Sequence, residues 1–457
     1  MDIIEMLIQN IIDTKYENLP KEAIEATKKG ILDTLGCIIG GASECQGEVG
    51  LVKEWGGKEE STILVFGGKV PAANAAWVNS DMAYALDYDG GGGGAGALHD
   101  LVCAIPTALA ISEARGGVTG KEFITAITVG EDLAIRLGIA GKEYGGFSPV
   151  GIVMVFGTAA IAAKILGLDK GKMLNALGFA FVRGAGSHQV ASDKVSAIRM
   201  LSGWSCRSGI EAALLAKRGL TGVKNILEGP YGFFNLFPKV EPNINALTDQ
   251  LGNRFEITRF RFKKYPCCGT TWAASEAALK LVLKFNIAPE NIKRITVETA
   301  KFSNSISGHP LTFDIKDTPE IFEAQFSQPY TVANAILRKS LKLEHFTLQY
   351  ILDRDVIKLA KKVHPAISKK GIEEISALVE IEMQDGTKYS KIVNRDEIQM
   401  LSTSNEIKKK FRECANFASE SLPKGNFEKI IDLVDRLEEV NDISELVKLL
   451  VRKIPGP

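Results

Sequence analysis

PAANAAWVNSDMAYALDYDGGGGGAGALHDLVCAIPTALAISEAR, residues 71–115, decides how the rest of the chain is read. Its flanks, Pro71 to Leu86 and Ala104 to Arg115, have helical composition but no wide polar face. Such a helix must be surrounded by other helices. Gly120 to Leu137 and Gly151 to Leu166 read the same way, and 44 glycines exceed the usual share of about 7% and permit close approach. Residues 1 to 264 are therefore expected to form a helical bundle with buried central helices.

The texture changes after Tyr265. Ile295, Val297 and Thr299 alternate with Thr296 and Glu298, as in a half-buried strand. Val379, Ile381 and Met383 alternate with Glu380 and Glu382, and Asp385-Gly386 before KYSKIV marks a hairpin. Helical stretches at Thr270 to Phe285 and Pro319 to Leu337 complete an α/β (α+β) domain over 265–400. Amphipathic helices follow at Asn405 to Ala418, Asn426 to Val440 and Ile443 to Arg452. The fold class expected is mainly α: a large helical domain from residues 1–264 plus 401–457, with an α/β domain over 265–400 inserted in it.

Composition excludes several classes of function. Lys plus Arg and Asp plus Glu both total 55, so the basic excess needed to neutralise a phosphate backbone is absent and no nucleic acid partner is expected. Seven scattered cysteines without a CxxC pair or zinc spacing fit a reducing cytoplasm. The acidic, helical N-terminus does not read as an export signal. Val150 to Ala163, the most apolar run, is shorter than the ~20 residues a membrane span requires. It reads as a buried helix, and no membrane partner is expected.

Asp87 and Asp89 end one buried helix, five glycines follow at 90–94, and His99 and Asp100 precede the next. Carboxylates and imidazole are the usual proton-transfer groups, and a glycine run implies close approach or mobility. A phosphate cradle is a poor fit, since no strand precedes the glycines and no Gly-Lys-Ser/Thr follows. The alternative is a flexible connection with capping aspartates. His188, near Lys194 and Arg199, reads as a packed histidine or a ligand-facing one. Cys267 and Cys268, after Lys263, Lys264 and Tyr265, read as activated thiols or small packing residues. His309 and, in Lys-rich helices, His345 and His364 read as structural. No Ser-His-Asp order, HExxH or carboxylate metal cage emerges.

LDTLGCIIGG (32–41), STILVFGGKVPAANAAWVNSDMAYALDYDG (61–90), HDLVCAIPTALAISEARGGVTGKEFITAITVGED (99–132), GTAAIAAKILGLDKGKMLNALGFA (157–180), GWSCRSGIEAALLAKRGLTG (203–222), FKKYPCCG (262–269) and AQFSQPYTVANAIL (324–337) are collinear. Together they resemble the MmgE/PrpD family, whose members include 2-methylcitrate dehydratase, cis-aconitate decarboxylase and iminodisuccinate epimerase. The resemblance implies a helical domain with an α/β lid, a homodimer, and chemistry on a small carboxylate substrate with no metal or organic cofactor. Asp87, Asp89 and His99 match the family's acidic pair and following histidine. They are the expected catalytic set, with His99 moving the proton and an aspartate orienting it.

Four positions depart from the family's pattern. Ile198 stands where relatives carry Lys, Trp272 and Ser148 where they carry His, and Tyr84 where a further His is common. Fewer cations should weaken binding of a tricarboxylate. Either Arg199, Lys194, Lys263 and His188 substitute from nearby, or the substrate has fewer carboxylates and an apolar part that meets Ile198 and Trp272. The expected substrate-binding residues are Arg199, Lys194, Lys263, Tyr265, His188, Trp272 and Tyr84. The leading expectation is a cofactor-independent lyase of dehydratase or decarboxylase type. Its alternatives are an isomerase or epimerase, with His188, Tyr265 or Cys268 as second proton carrier, and a non-catalytic binding descendant.

Overall fold

A computed structural model describes residues 2–92, 98–317, 319–419 and 422–452. The chain divides into two compact units: Met1–His188, Arg199–Phe262 and Leu401–Pro457 in the first, Gln189–Ile198 and Lys263–Met400 in the second. The architecture is mainly helical with a small α/β part.

In the first unit, helix Lys21–Gly41 packs along helix Ser404–Phe417, bringing the two ends of the chain together. The LDTLGCIIGG stretch explains why. A Cβ on Gly36 would come 3.1 Å from Phe411 Cα, and one on Gly40 would come 3.0 Å from the Cys414 carbonyl oxygen. The missing side chains thus set the spacing between the helices.

Helices Ala72–Tyr84, Leu101–Arg115, Gly120–Gly141 and Met154–Ile165 are buried over most of their lengths, as their all-round apolar composition requires. Thr119 and Glu122 form a reciprocal capping box that starts the 120–141 helix. The Val150 to Ala163 run is two buried helices, Pro149–Ile152 and Met154–Ile165. Among the described residues, no helix is long and apolar enough to cross a membrane.

The second unit is built on a four-stranded sheet. Val363–Ile367 runs parallel to Ile292–Thr299, which pairs antiparallel with Ala377–Met383, which pairs antiparallel with Lys388–Val393. Ala377, Val379, Ile381 and Met383 point into the core, where helices Gly269–Phe285 and Gln328–Arg338 cover the sheet. The Asp385-Gly386 turn forms as its residues dictate: Gly386 has φ +87°, and the Asp385 carboxylate accepts the Thr387 N–H at 2.9 Å. Helix Gln189–Asp193 joins this unit by packing on helix Lys301–Ser307.

Two sequence expectations need correction. The helix expected over Pro319 to Leu337 is interrupted, with separate helices Ile321–Gln325 and Gln328–Arg338. Ser327 Oγ accepts the Tyr330 N–H at 3.2 Å and Pro329 occupies the first turn, so a new helix begins there. His364 lies on the edge strand Val363–Ile367 and His345 on the 3-10 turn Leu343–Phe346, rather than in Lys-rich helices. The edge position tolerates Pro365, which has no N–H to donate.

Candidate active site

Helix Ala72–Tyr84 ends where the Asp87 N–H reaches the Tyr84 carbonyl at 2.9 Å. Asp87 then turns through φ +45° and His99 through φ +46°, left-handed values that non-glycine residues seldom adopt. The two turns aim their side chains at one place. His99 Nδ1 lies 2.8 Å from Asp89 Oδ2, with Asp89 buried and the imidazole 17% exposed. Asp87 completes a cluster with Asp89 and His99 in which one ligand-type atom from each lies within 4.8 Å of the others. The imidazole is therefore partly exposed while its carboxylate partner is shielded from water.

The surroundings fix the ring. Tyr84 stacks on it at 4.5 Å between centroids, tilted by 42°. Asp100, the next residue, accepts the Leu101 N–H at 3.0 Å and so caps the 101–115 helix. The same carboxylate accepts the Gly92 N–H at 3.1 Å, and a Cβ on Gly91 would lie 1.8 Å from Asp100 Oδ1. Close approach is thus the reason for glycine at this position. Gly93 and Gly94 of the five-glycine run lie outside the described residues.

His188 is half-buried, and its proton affinity is lowered by burial and then by the charge of His99. It therefore tends to be neutral near pH 7. Ser148 is buried, with its N–H on the Gly186 carbonyl at 3.1 Å. Arg199 is also buried, but both Nε and Nη2 are directed to Glu48 Oε1, at 3.1 and 3.0 Å. Burial would lower its pKa, but Cys45, Glu48 and Asp81 outweigh this and raise it. Arg199 thus sits in a buried acidic setting.

The remaining expected site residues belong to the second unit. Lys194 is buried at φ +55° and has its pKa lowered by burial, opposed by Glu323 and Cys268. Lys263 is likewise buried. The Tyr265 hydroxyl donates to Glu276, and burial followed by that carboxylate raises its pKa far above the usual phenol range. Trp272 commits its ring N–H to the Cys267 carbonyl at 2.9 Å. Cys268 Sγ lies 3.1 Å from Thr270 Oγ1, while Cys267 is fully buried. His345 is a packing residue: Nδ1 accepts the Lys342 N–H at 3.2 Å, and burial followed by Arg338 pushes its pKa down to about 4.

Sequence reasoning missed three groups that hold the neighbours of Asp89 and His99: Asp33, Lys410 and Glu131. All three are buried. Asp33 lies within LDTLGCIIGG and Glu131 within a helical run, and nothing local marked Asp33 as a partner of the Gly90 N–H or Glu131 as a neighbour of Asp100.

Comparison with known proteins agrees with this architecture. The MmgE/PrpD N-terminal domain matches residues 5–243, and the MmgE/PrpD C-terminal domain matches residues 265–439. The chain is similar to the cis-aconitate decarboxylase of Mus musculus, 28% identical over 95% of this chain and 91% of that protein. It is 27% identical to that of Homo sapiens, over 100% of this chain and 95% of the relative. For that of Aspergillus terreus the identity is 26%, over 96% and 94%.

Proposed function

Because the chain belongs to the MmgE/PrpD family, we propose that it is a lyase acting on a small carboxylic acid, with His99 carrying the proton and Asp89 orienting it. Among lyase reactions decarboxylation fits best, since relatives matched over nearly the whole chain are named cis-aconitate decarboxylases. The observation that carries the reading is the 2.8 Å contact between His99 Nδ1 and the buried Asp89 carboxylate, beneath an imidazole that remains partly exposed.

The chemistry follows from that geometry. With Nδ1–H held by Asp89, Nε2 is the nitrogen that accepts or delivers a proton. In decarboxylation the bond to the leaving carboxylate breaks and its electron pair stays on the substrate, spread over a neighbouring unsaturated carboxylate system. Imidazolium Nε2 then supplies the proton that completes the new C–H bond, and solvent restores it for the next turnover. Buried Asp89 stabilises that imidazolium. No step transfers electrons to an acceptor, so none calls for a redox cofactor.

The replacements at Ser148 and Tyr84 favour a substrate with fewer negative charges than a tricarboxylate. His188 supports a second reading. A mostly neutral imidazole whose titration feels His99 could serve as a second proton carrier, as an isomerase or epimerase requires.

Incubation with cis-aconitate, methylcitrate and unsaturated or hydroxylated dicarboxylates, followed by NMR and carbon dioxide detection, tests the proposal. Carbon dioxide with a product one carboxylate shorter is expected. Solvent deuterium uptake at unchanged composition would favour isomerisation. If no acid is consumed and none raises the melting temperature, the lyase reading fails and a non-catalytic descendant is favoured.

A further inference from the structure

We propose that Lys410 and Asp33 are positioning residues for the proton-transfer pair: a buried ion pair that grips the two peptide groups flanking Asp89 and so sets its carboxylate against His99. This rests on the reading of Asp89 and His99 given above.

Lys410 comes from helix Ser404–Phe417 and Asp33 from helix Lys21–Gly41. Lys410 Nζ is 2.7 Å from Asp33 Oδ1, with the two side chains 1% and 0% exposed. The same ammonium donates to the Tyr88 carbonyl and lies 4.0 Å from the centroid of the Tyr88 ring. Asp33 Oδ2 accepts the Gly90 N–H at 2.8 Å. The Tyr88 carbonyl belongs to the peptide bond before Asp89 and the Gly90 N–H to the one after it. Both bonds that orient the Asp89 side chain are thus held by one ion pair from elsewhere in the sequence.

Three considerations favour positioning over packing alone. A buried ion pair is a weak source of stability, since well-packed hydrocarbon of similar volume often serves as well or better. Hydrocarbon, however, would leave the Tyr88 carbonyl and the Gly90 N–H without these partners in a buried place. Asp87 and His99 also both adopt left-handed backbone conformations, so the local chain is a poor guide to its own geometry. Gly90 fits this tight seat, since a Cβ there would lie 2.6 Å from Phe262 Cδ1 and 3.1 Å from Asp33 Oδ2.

Burial alone would lower the pKa of Lys410, but Asp33 and then Cys37 outweigh it and hold the ammonium above the ordinary lysine range. Burial pushes Asp33 up while Lys410 pulls it down. At 2.7 Å we take the pair as charged.

The test replaces the pair by hydrocarbon, Lys410→Met with Asp33→Leu, in the full-length chain. Circular dichroism and thermal melting establish folding. NMR of 13C-labelled histidine then follows His99, identified among the five histidines by the signal lost in His99→Gln. A folded double variant is expected to show the His99 midpoint lowered by about one pH unit, because the imidazolium loses its aligned carboxylate. Its kcat should fall ~10- to 100-fold with KM changed less than about threefold, the signature of lost alignment. A folded variant with unchanged His99 titration overturns the proposal, whatever its melting temperature.

Should the double variant not fold, Lys410→Arg retains the charge in a bulkier, planar group that displaces the Tyr88 carbonyl. The same readings apply to it: a lowered midpoint supports positioning and an unchanged one overturns it. If the wild-type protein turns over no acid, the lyase reading fails while the NMR titration still decides the role of Lys410 and Asp33.

Discussion

Glu131 lies near Asp100 with both carboxyl groups fully buried, and together burial and the Asp100 charge raise the proton affinity of Glu131. Burial is the larger cause for Glu131, with the Asp100 charge next. For Asp100, burial outweighs the N–H groups of Gly92 and Leu101 that favour its charged form, and its pKa rises from 3.8 to about 6. A neutral Glu131 avoids a second buried charge beside Asp100, the residue next to the one that carries the imidazole.

The sign of the resulting pH dependence follows. Asp100 binds its proton more tightly folded than unfolded, so its contribution to stability is complete below pH 3.8 and is lost as pH rises through about 6. Asp100→Asn removes that titration. Between pH 4 and 6 the unfolding free energy of the wild type should therefore fall more steeply with rising pH than that of the variant, by up to about 1.4 kcal/mol per unit. Urea titrations at three pH values measure the difference. Parallel profiles would show that Asp100 does not titrate there.

Asp89→Asn keeps the shape of the side chain but removes the charge that faces Nδ1. On the proposed mechanism, kcat should drop ~10- to 100-fold while KM stays within a few-fold. The limb of the pH–rate profile that reports His99 should also move to lower pH, since an imidazolium without its carboxylate is less stable. A matching loss in KM alone would instead assign Asp89 to substrate binding.

The cluster of Asp87, Asp89 and His99 has the donor types of a partial site for a divalent transition metal. A proton-transfer role for His99 makes such an ion an inhibitor, since it would occupy imidazole and carboxylates alike. Dialysis against EDTA is expected to leave turnover unchanged, and micromolar Zn²⁺ to lower it reversibly. Loss of activity on chelation with recovery on adding metal would reverse this assignment.

Arg199 has a carboxylate partner within its own unit. Its sequence position makes it an expected substrate-binding residue, but its guanidinium is buried against Glu48. Arg199→Met should leave that carboxylate unpaired and cost about 3–5 kcal/mol of stability. Glu48→Gln should restore part of the loss when combined with it. A denaturant double-mutant cycle reads both effects, and a fully stable Arg199→Met enzyme with a raised KM would return the residue to the substrate.

Local signals in the sequence carried a large part of this architecture. All-round apolar helices and the Asp385-Gly386 turn each dictate structure within a few residues of themselves. The site was legible where chemistry-bearing residues cluster in sequence, as Asp87, Asp89 and His99 do around the glycines. Asp33 with Lys410 and Asp100 with Glu131 were not, because each pair is made by packing helices whose sequences carry no mark of the partner. The break at Ser327 and the edge strand at His364 were missed for a different reason. Apolar periodicity continues across a helix restart, and a short edge strand containing Pro has little alternation to read.

The proton itself gives the most direct test. Wild-type protein and His99→Gln, matched in melting temperature, are incubated in D₂O with the acid that the wild type consumes, and the product is examined by NMR. The account predicts one solvent deuteron in the wild-type product, placed on a single face of the carbon that lost the carboxylate or on its allylic partner. It also predicts a rate for His99→Gln lower by ~10²- to 10⁴-fold. A folded His99→Gln protein that forms the same deuterated product at the wild-type rate would contradict it.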